Sequence, residues 1–254
     1  MTSRIQSTFN GRKALIAYIT AGDPTPERTP EYVAALERGG VDLIELGVPF
    51  SDPIADGPVI QRGAERALKA GTNVIKVLQM AQQIRLKSTI PLLLFTYLNP
   101  ILRYGLDALA RDAKAAGIDG CLLTDLSVEE ASPYVRVMRA ADLDTVFLAA
   151  PTSTPQRQKL VGEYSTGFVY LVSRTGVTGE RSSVSDSIAP LVRSMRTVTK
   201  LPLAVGFGIS TPEQAKSVAQ LADGVVVGSA FVRIIEENGD LESFAHSLRK
   251  GIDS

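Results

Sequence analysis

The stretch Val41-Asp42-Leu43-Ile44-Glu45-Leu46-Gly47-Val48-Pro49-Phe50-Ser51-Asp52-Pro53-Ile54-Ala55-Asp56-Gly57-Pro58 is the first half of a β-loop-α unit. Val41–Leu46 is a short, mostly apolar strand with a carboxylate, Glu45, planted near its end. The Gly, Pro and Ser residues that follow continue neither strand nor helix. An amphipathic segment, Val59–Ala70, completes the unit. An acid in an apolar strand is costly unless it faces water, a partner or a substrate, so Glu45 needs a reason to be there. Two more carboxylates, Asp52 and Asp56, ride on the loop.

The same alternation runs outward in both directions. Further strands are expected at Ala14–Ile19, Leu92–Thr96, Gly120–Thr124, Thr145–Ala149, Gly167–Val172, Leu203–Gly206 and Gly224–Val227. Helices are expected at Glu27–Arg38, Val74–Lys87, Leu106–Ala116, Val128–Ala140, Pro155–Glu163, Val184–Thr199 and Pro212–Leu221, with residues 230–237 and 240–250 closing the chain. Alternating β and α units imply a parallel sheet with right-handed crossovers. Eight units in 254 residues fit a (β/α)8 TIM barrel in one domain spanning residues 1–254. A doubly wound open sheet uses the same order of elements, which alone does not close a barrel. Ile5 and Phe9, spaced i, i+4, suggest a short extra N-terminal helix that plugs the barrel bottom, the alternative being a frayed terminus.

Composition excludes several classes. Lys+Arg and Asp+Glu both total 27, so no basic field exists to hold nucleic acid or an anionic membrane. No window approaches the roughly 20 apolar residues of a membrane span, and the N-terminus has no apolar signal core. A lone cysteine, Cys121, permits no intrachain disulfide and reads as a small buried hydrophobe, which suits a reducing cytoplasm. The single histidine, His246, lies in the polar C-terminal helix, so neither a catalytic histidine nor a metal site is expected.

In a barrel the working face is built from the loops that follow the strands. Glu45, at the end of strand 2, and Asp56, in the next loop, would share that face as general acid/base and charge stabiliser. The bland alternative is a turn-capping Asp56 and an Arg-paired Glu45. Asp52 reads instead as a loop-structuring Asx residue. Phe207 and Gly208 after strand 7, and Gly228-Ser229 after strand 8, would let backbone N–H groups and a helix N-terminus hold a phosphate. Residues 173–183 form a connection longer than the usual 2–6 residues. It reads as a mobile lid or a plain surface loop, and Gly179 in it would add an N–H to the phosphate. Tyr18, Phe95, Tyr97, Leu122, Leu148, Tyr170 and Phe207 supply apolar walls; Tyr170 is also placed to reach Glu45. Asn99 and Asp125 close strands 3 and 4 as supporting groups.

At these residues the sequence resembles the tryptophan synthase alpha subunit family. The likeness rests on Leu43–Pro58, Tyr18–Pro24 (YITAGDP), Asn99-Pro100, Asp125-Leu126, Arg174–Arg181 (RTGVTGER), Gly206–Ser210 (GFGIS) and Gly228-Ser229. It implies retro-aldol cleavage of indole-3-glycerol phosphate to indole and glyceraldehyde 3-phosphate, with no cofactor of its own. By that resemblance Glu45 protonates indole C3 and takes the glycerol hydroxyl proton, and Asp56 binds the indole N–H. Gly179, Gly208, Gly228 and Ser229 match the phosphate cradle, and Thr178 the lid residue that closes onto Asp56. Tyr18, Phe95, Leu122 and Tyr170 line the indole pocket. The implied partner is a pyridoxal-phosphate beta subunit in an alpha2-beta2 tetramer, with the Asp52–Pro58 loop at the interface. The alternative is a free-standing lyase of the same family without that partner. Ser127, where the family often has proline, and Tyr18, where some members carry phenylalanine, depart from its pattern at the pocket rim.

Overall fold

β1 (Ala14–Thr20) pairs in parallel with β2 (Leu43–Gly47) on one side and with the last strand of the chain on the other. The computed structural model describes residues 3–172, 184–206 and 208–254. Among these, β3 (Leu92–Thr96), β4 (Gly120–Leu123) and β5 (Asp144–Thr145) extend the sheet beyond β2. β6 (Phe147–Ala149), β7 (Val169–Val172), β8 (Leu203–Gly206) and β9 (Gly224–Val227) run back to β1 from the other end. Every pairing is parallel.

The two ends of this sheet, β5 and β6, are separated in the chain by Val146 alone, whose N–H bonds to the Cys121 carbonyl at 3.3 Å. They are one bent strand, its first half paired with β4 and its second with β7. That switch of partner closes the cylinder and removes the open-sheet alternative. It also divides the strand expected over Thr145–Ala149. The strand expected from Gly167 begins at Val169.

The connections are helical: α2 (Arg28–Arg38), α3 (Pro58–Lys69), α4 (Val74–Arg85), α6 (Leu106–Ala116), α7 (Ser132–Ala140), α8 (Pro155–Tyr164), α9 (Val184–Val198) and α10 (Pro212–Ala219), then α11 (Ser229–Glu236) and α12 (Leu241–Asp253). Starts are set by the sequence: Asn73, Thr154, Thr211 and Asp240 each accept a first-turn backbone N–H. α5 (Leu98–Tyr104) was not expected. Pro100 reads as a breaker, but in a first turn its missing N–H is one the helix leaves unbonded anyway. The single helix expected over Val128–Ala140 divides into a tight turn, Val128–Glu130, and α7, because Pro133 has no N–H for the Glu129 carbonyl.

Alternation along each strand sorts side chains into two packed regions. Leu15, Ala17, Ile44, Leu46, Leu92 and Leu94 face the helices. Ile16, Leu43, Leu93, Leu122, Phe168 and Val226 fill the cylinder. α1 (Arg4–Ser7) closes its lower end: Ile5 is fully buried within the inner cluster, and Phe9 meets Phe168 at 5.6 Å. Arg4 bonds to Asp119 at 2.6 Å, and the Gln6 amide donates to the Thr166 carbonyl at 2.6 Å. Residues 4–9 therefore form the anticipated plug. Cys121 is buried on the outer face of β4.

Candidate active site

Glu45 follows the inward parity of Leu43, so its carboxyl lies inside the barrel towards the C-terminal mouth. It is 0% exposed, and neither oxygen has a hydrogen-bond partner among the described residues. Desolvation pushes its pKa up to about 8, because an ion buried without a counter-charge is disfavoured. The arginine pairing considered for Glu45 is absent among the described residues.

Asp56 approaches the same mouth from the loop between β2 and α3. It is half-buried, and its Oδ2 accepts the Tyr97 hydroxyl at 2.9 Å. Burial raises its pKa, and the Tyr97 hydrogen bond opposes that rise. The Gln61 amide donates to the Asp56 carbonyl at 2.8 Å, and the Asp56 N–H bonds to Pro53 O at 3.1 Å. Tyr18 and Tyr170 lie within electrostatic reach of both carboxyls; desolvation first, then these charges, raises both phenol pKa values. Two acids and two phenols thus converge on one space.

The walls of that space follow from glycines. A Cβ at Gly47 would fall 2.3 Å from the Tyr18 hydroxyl, and one at Gly206 would fall 2.2 Å from that of Tyr170. Each ring lies over the neighbouring strand where a side chain is missing. Tyr18 also meets Phe95 edge-on at 5.0 Å. Leu122 is fully buried in the inner cluster, with Phe95, Leu148 and Tyr170 partly buried above it. The expected bond from Tyr170 to Glu45 does not form: both Glu45 oxygens are unbonded among the described residues, and the phenol reaches over Gly206 instead.

Across the mouth, β8 and β9 end in the glycine loops. Gly208 has φ +69°, a conformation that suits glycine, and Ile209 after it is buried. Gly228 caps α11 without any side-chain hydrogen bond and lies against Tyr18. The first N–H groups of α11, beginning at Ser229, therefore receive no cap from a Gly228 side chain, an arrangement that favours an anion. Thr178 and Gly179 in the 173–183 loop, and Phe207, lie outside the described residues.

The supporting residues divide. Asp125 accepts the Leu98 N–H at 2.7 Å, tying the loop after β4 to the start of α5. Asn99 sits exposed in the first turn of α5. Asp52 is no Asx turn: its carboxylate takes the Ser51 hydroxyl at 2.5 Å, while Ile54 N–H bonds to the Asp52 backbone carbonyl. Tyr97, expected only as wall, is the direct partner of Asp56. The only signal for that was a tyrosine just past a strand end.

Comparison with known proteins bears on this arrangement. The model of the family described as tryptophan synthase alpha chain matches residues 5–250. The tryptophan synthase alpha chain of Solibacter usitatus is 67% identical over 247 residues, covering 94% of this chain and 92% of its own length. That of Geotalea uraniireducens is 49% identical, covering 98% of each. Among solved structures, tryptophan synthase subunit alpha from Legionella pneumophila superposes with a TM-score of 0.90 at 39% identity, covering 100% of this chain and 99% of its own. A chain of Mycobacterium tuberculosis tryptophan synthase gives 0.91 at 40%, covering 99% of each.

Proposed function

The chain belongs to the tryptophan synthase alpha chain family, and from that premise we propose that it cleaves indole-3-glycerol phosphate to indole and glyceraldehyde 3-phosphate. As an alpha chain it is an enzyme, a lyase. The bond broken joins indole C3 to the glycerol carbon bearing the adjacent hydroxyl.

Glu45, protonated at neutral pH because of its burial, delivers a proton to C3. The ring nitrogen then carries positive charge, and the Asp56 carboxylate receives its N–H. As the carbon–carbon bond breaks, its electron pair returns to the ring. The Glu45 carboxylate takes the hydroxyl proton, leaving the aldehyde. The proton ends on carbon and Glu45 returns to its starting state. Tyr18, Phe95, Leu122 and Tyr170 enclose the indole. Gly208, Gly228 and Ser229, with Gly179 and Phe207, hold the phosphate, and Thr178 closes onto Asp56. Neither proton transfer calls for a cofactor; pyridoxal phosphate belongs to the beta subunit.

One observation carries this reading: a fully buried carboxyl with no partner among the described residues shares one barrel mouth with a half-buried one. Indole release by Glu45→Gln tests it. Turnover is expected to fall at least about 10³-fold with the circular dichroism spectrum unchanged. Wild-type-like turnover would overturn the assignment.

The partner of an alpha chain is a beta subunit, here in an alpha2-beta2 tetramer, and the working compartment is the cytoplasm. No helix among the described residues is long and apolar enough to cross a membrane. The seat for the partner is the side carrying residues 52–58, where Ile54 is 86% and Leu102 62% exposed. Beside them a cleft of about 380 Å³ is lined by Phe50, Leu68, Ile75, Pro100 and Tyr104 among others. The free-standing alternative leaves that apolar surface without a use.

A further inference from the structure

Tyr97 ends up with two partners on a single loop. Its hydroxyl oxygen accepts the Ala55 N–H at 3.0 Å and donates its proton to Asp56 Oδ2 at 2.9 Å. The side chain is anchored from behind. It follows directly on β3, is 3% exposed, and packs its ring against Phe50 at 5.2 Å. The next residue, Leu98, is fixed by Asp125. By contrast, the other hydrogen bonds of the segment stay close to it: Ser51 hydroxyl to Asp52 carboxylate, Ile54 N–H to Asp52 O, Asp56 N–H to Pro53 O, and the Gln61 amide to Asp56 O from the first turn of α3. Within the described residues, the phenol is what ties this loop to the barrel wall.

We propose that Tyr97 is the positioning residue for Asp56: its phenol engages Oδ2, turns Oδ1 towards the indole N–H, and holds the carboxylate in its ionised form. The proposal rests on the role assigned to Asp56 above. A carboxylate on an otherwise self-bonded loop has rotational freedom, and one hydrogen bond to a fixed donor removes it. A donor aimed at the charged form also opposes the rise in pKa that burial imposes. The other titratable groups acting in this space are Tyr18 on β1, Tyr170 on β7 and Glu45 on β2, and none of them donates to Asp56 among the described residues. Tyr97 does not touch the reacting carbon; it acts through Asp56.

Tyr97→Phe, in the full chain assayed with its beta subunit, keeps the ring and its contact with Phe50 and removes one donor. The kcat for indole release is expected to fall about tenfold with KM changed by no more than about twofold. The acid limb of kcat/KM, set by ionisation of Asp56, is expected to move to higher pH, which a purely structural role would not do. In the Asp56→Asn background the same substitution is expected to cost nothing further, because its route of action is gone. An unchanged kcat and acid limb in Tyr97→Phe, or an equal loss in the Asp56→Asn background, overturns the proposal. Should Asp56→Asn itself turn over at the wild-type rate, the role of Asp56 fails first. A dead Asp56→Asn beside an unaffected Tyr97→Phe sinks the positioning role alone.

Discussion

A carboxyl buried inside a barrel with no hydrogen-bond partner among the described residues has a consequence for stability that can be measured apart from catalysis. The Glu45 pKa rises from the ordinary 4.5 to about 8 on folding, so between those values the folded chain binds a proton that the unfolded chain has released. Stability therefore falls as pH climbs through that window, and the penalty is complete above about pH 8. Glu45→Gln removes the ionisation. It is expected to stabilise the fold by about 3–5 kcal/mol at pH 8.5 and by close to nothing at pH 4, read from denaturant titrations at the two pH values. A pH-independent difference would mean that Glu45 is solvated or paired. In the proposed mechanism the same group sets the alkaline limb of turnover, because the first step uses its proton: activity is expected to decline above about pH 8. Gly47 gives a steric counterpart. An added methyl would sit 2.3 Å from the Tyr18 hydroxyl, and Tyr18 is backed by Phe95 and cannot swing freely. Gly47→Ala is expected to raise KM at least about fivefold while the chain stays folded, a smaller cost falling on stability because a ring tip is displaced and not backbone.

Elements carry their own test. α1 is only four residues long and would not persist alone, so its order comes from Ile5, fully buried beneath Gly120 and Gly167. Ile5→Ala is expected to cost about 2–5 kcal/mol in chemical denaturation, the penalty of a cavity in a core that cannot collapse. A cost below about 1 kcal/mol would mean that the barrel bottom closes without its plug. The sequence made Ile5 and Phe9 visible as a pair because their spacing is helical, and it made β3, β8 and β9 visible to the residue because glycine, proline or a charge bounds each apolar run. It concealed the break at Val146. The apolar run Thr145–Ala149 reads as one strand, and only the pairing of its two halves with different neighbours divides it. α5 was hidden for a related reason: Asn99-Pro100 carries turn chemistry, and nothing local says that a helix first turn absorbs it. At the site, Glu45 was legible because a buried acid violates the apolar pattern of its strand. Tyr97 was not, because a tyrosine at a strand end is unremarkable until the returning loop places Asp56 against its hydroxyl.

At the scale of the whole molecule, the barrel gathers the proposed site on one rim and exposes the apolar side chains Ile54 and Leu102 at the edge of that rim. The loop that carries Asp56 also carries Ile54, two residues earlier and 86% exposed, so on the proposed function one segment serves the reaction with one side chain and the partner with the other. An isoleucine held in water gains roughly 1.5–3 kcal/mol when a partner covers it, whereas an aspartate there would have to be desolvated. Ile54→Asp is therefore expected to weaken association with the beta subunit at least tenfold in isothermal titration. The thermal midpoint of the isolated chain should stay within about 2 °C, since so exposed a side chain supports little of the fold. The coupling runs the other way as well. Covering Ile54 leaves the loop fewer arrangements, and Asp56, pinned through Tyr97, shares in that restriction. Beta subunit added to the native chain should then raise kcat for indole release, and the Ile54→Asp chain should regain that rate only at correspondingly higher beta concentrations. If Ile54→Asp binds the beta subunit as tightly as the native chain does, the partner sits on another face and this loop works for the reaction alone.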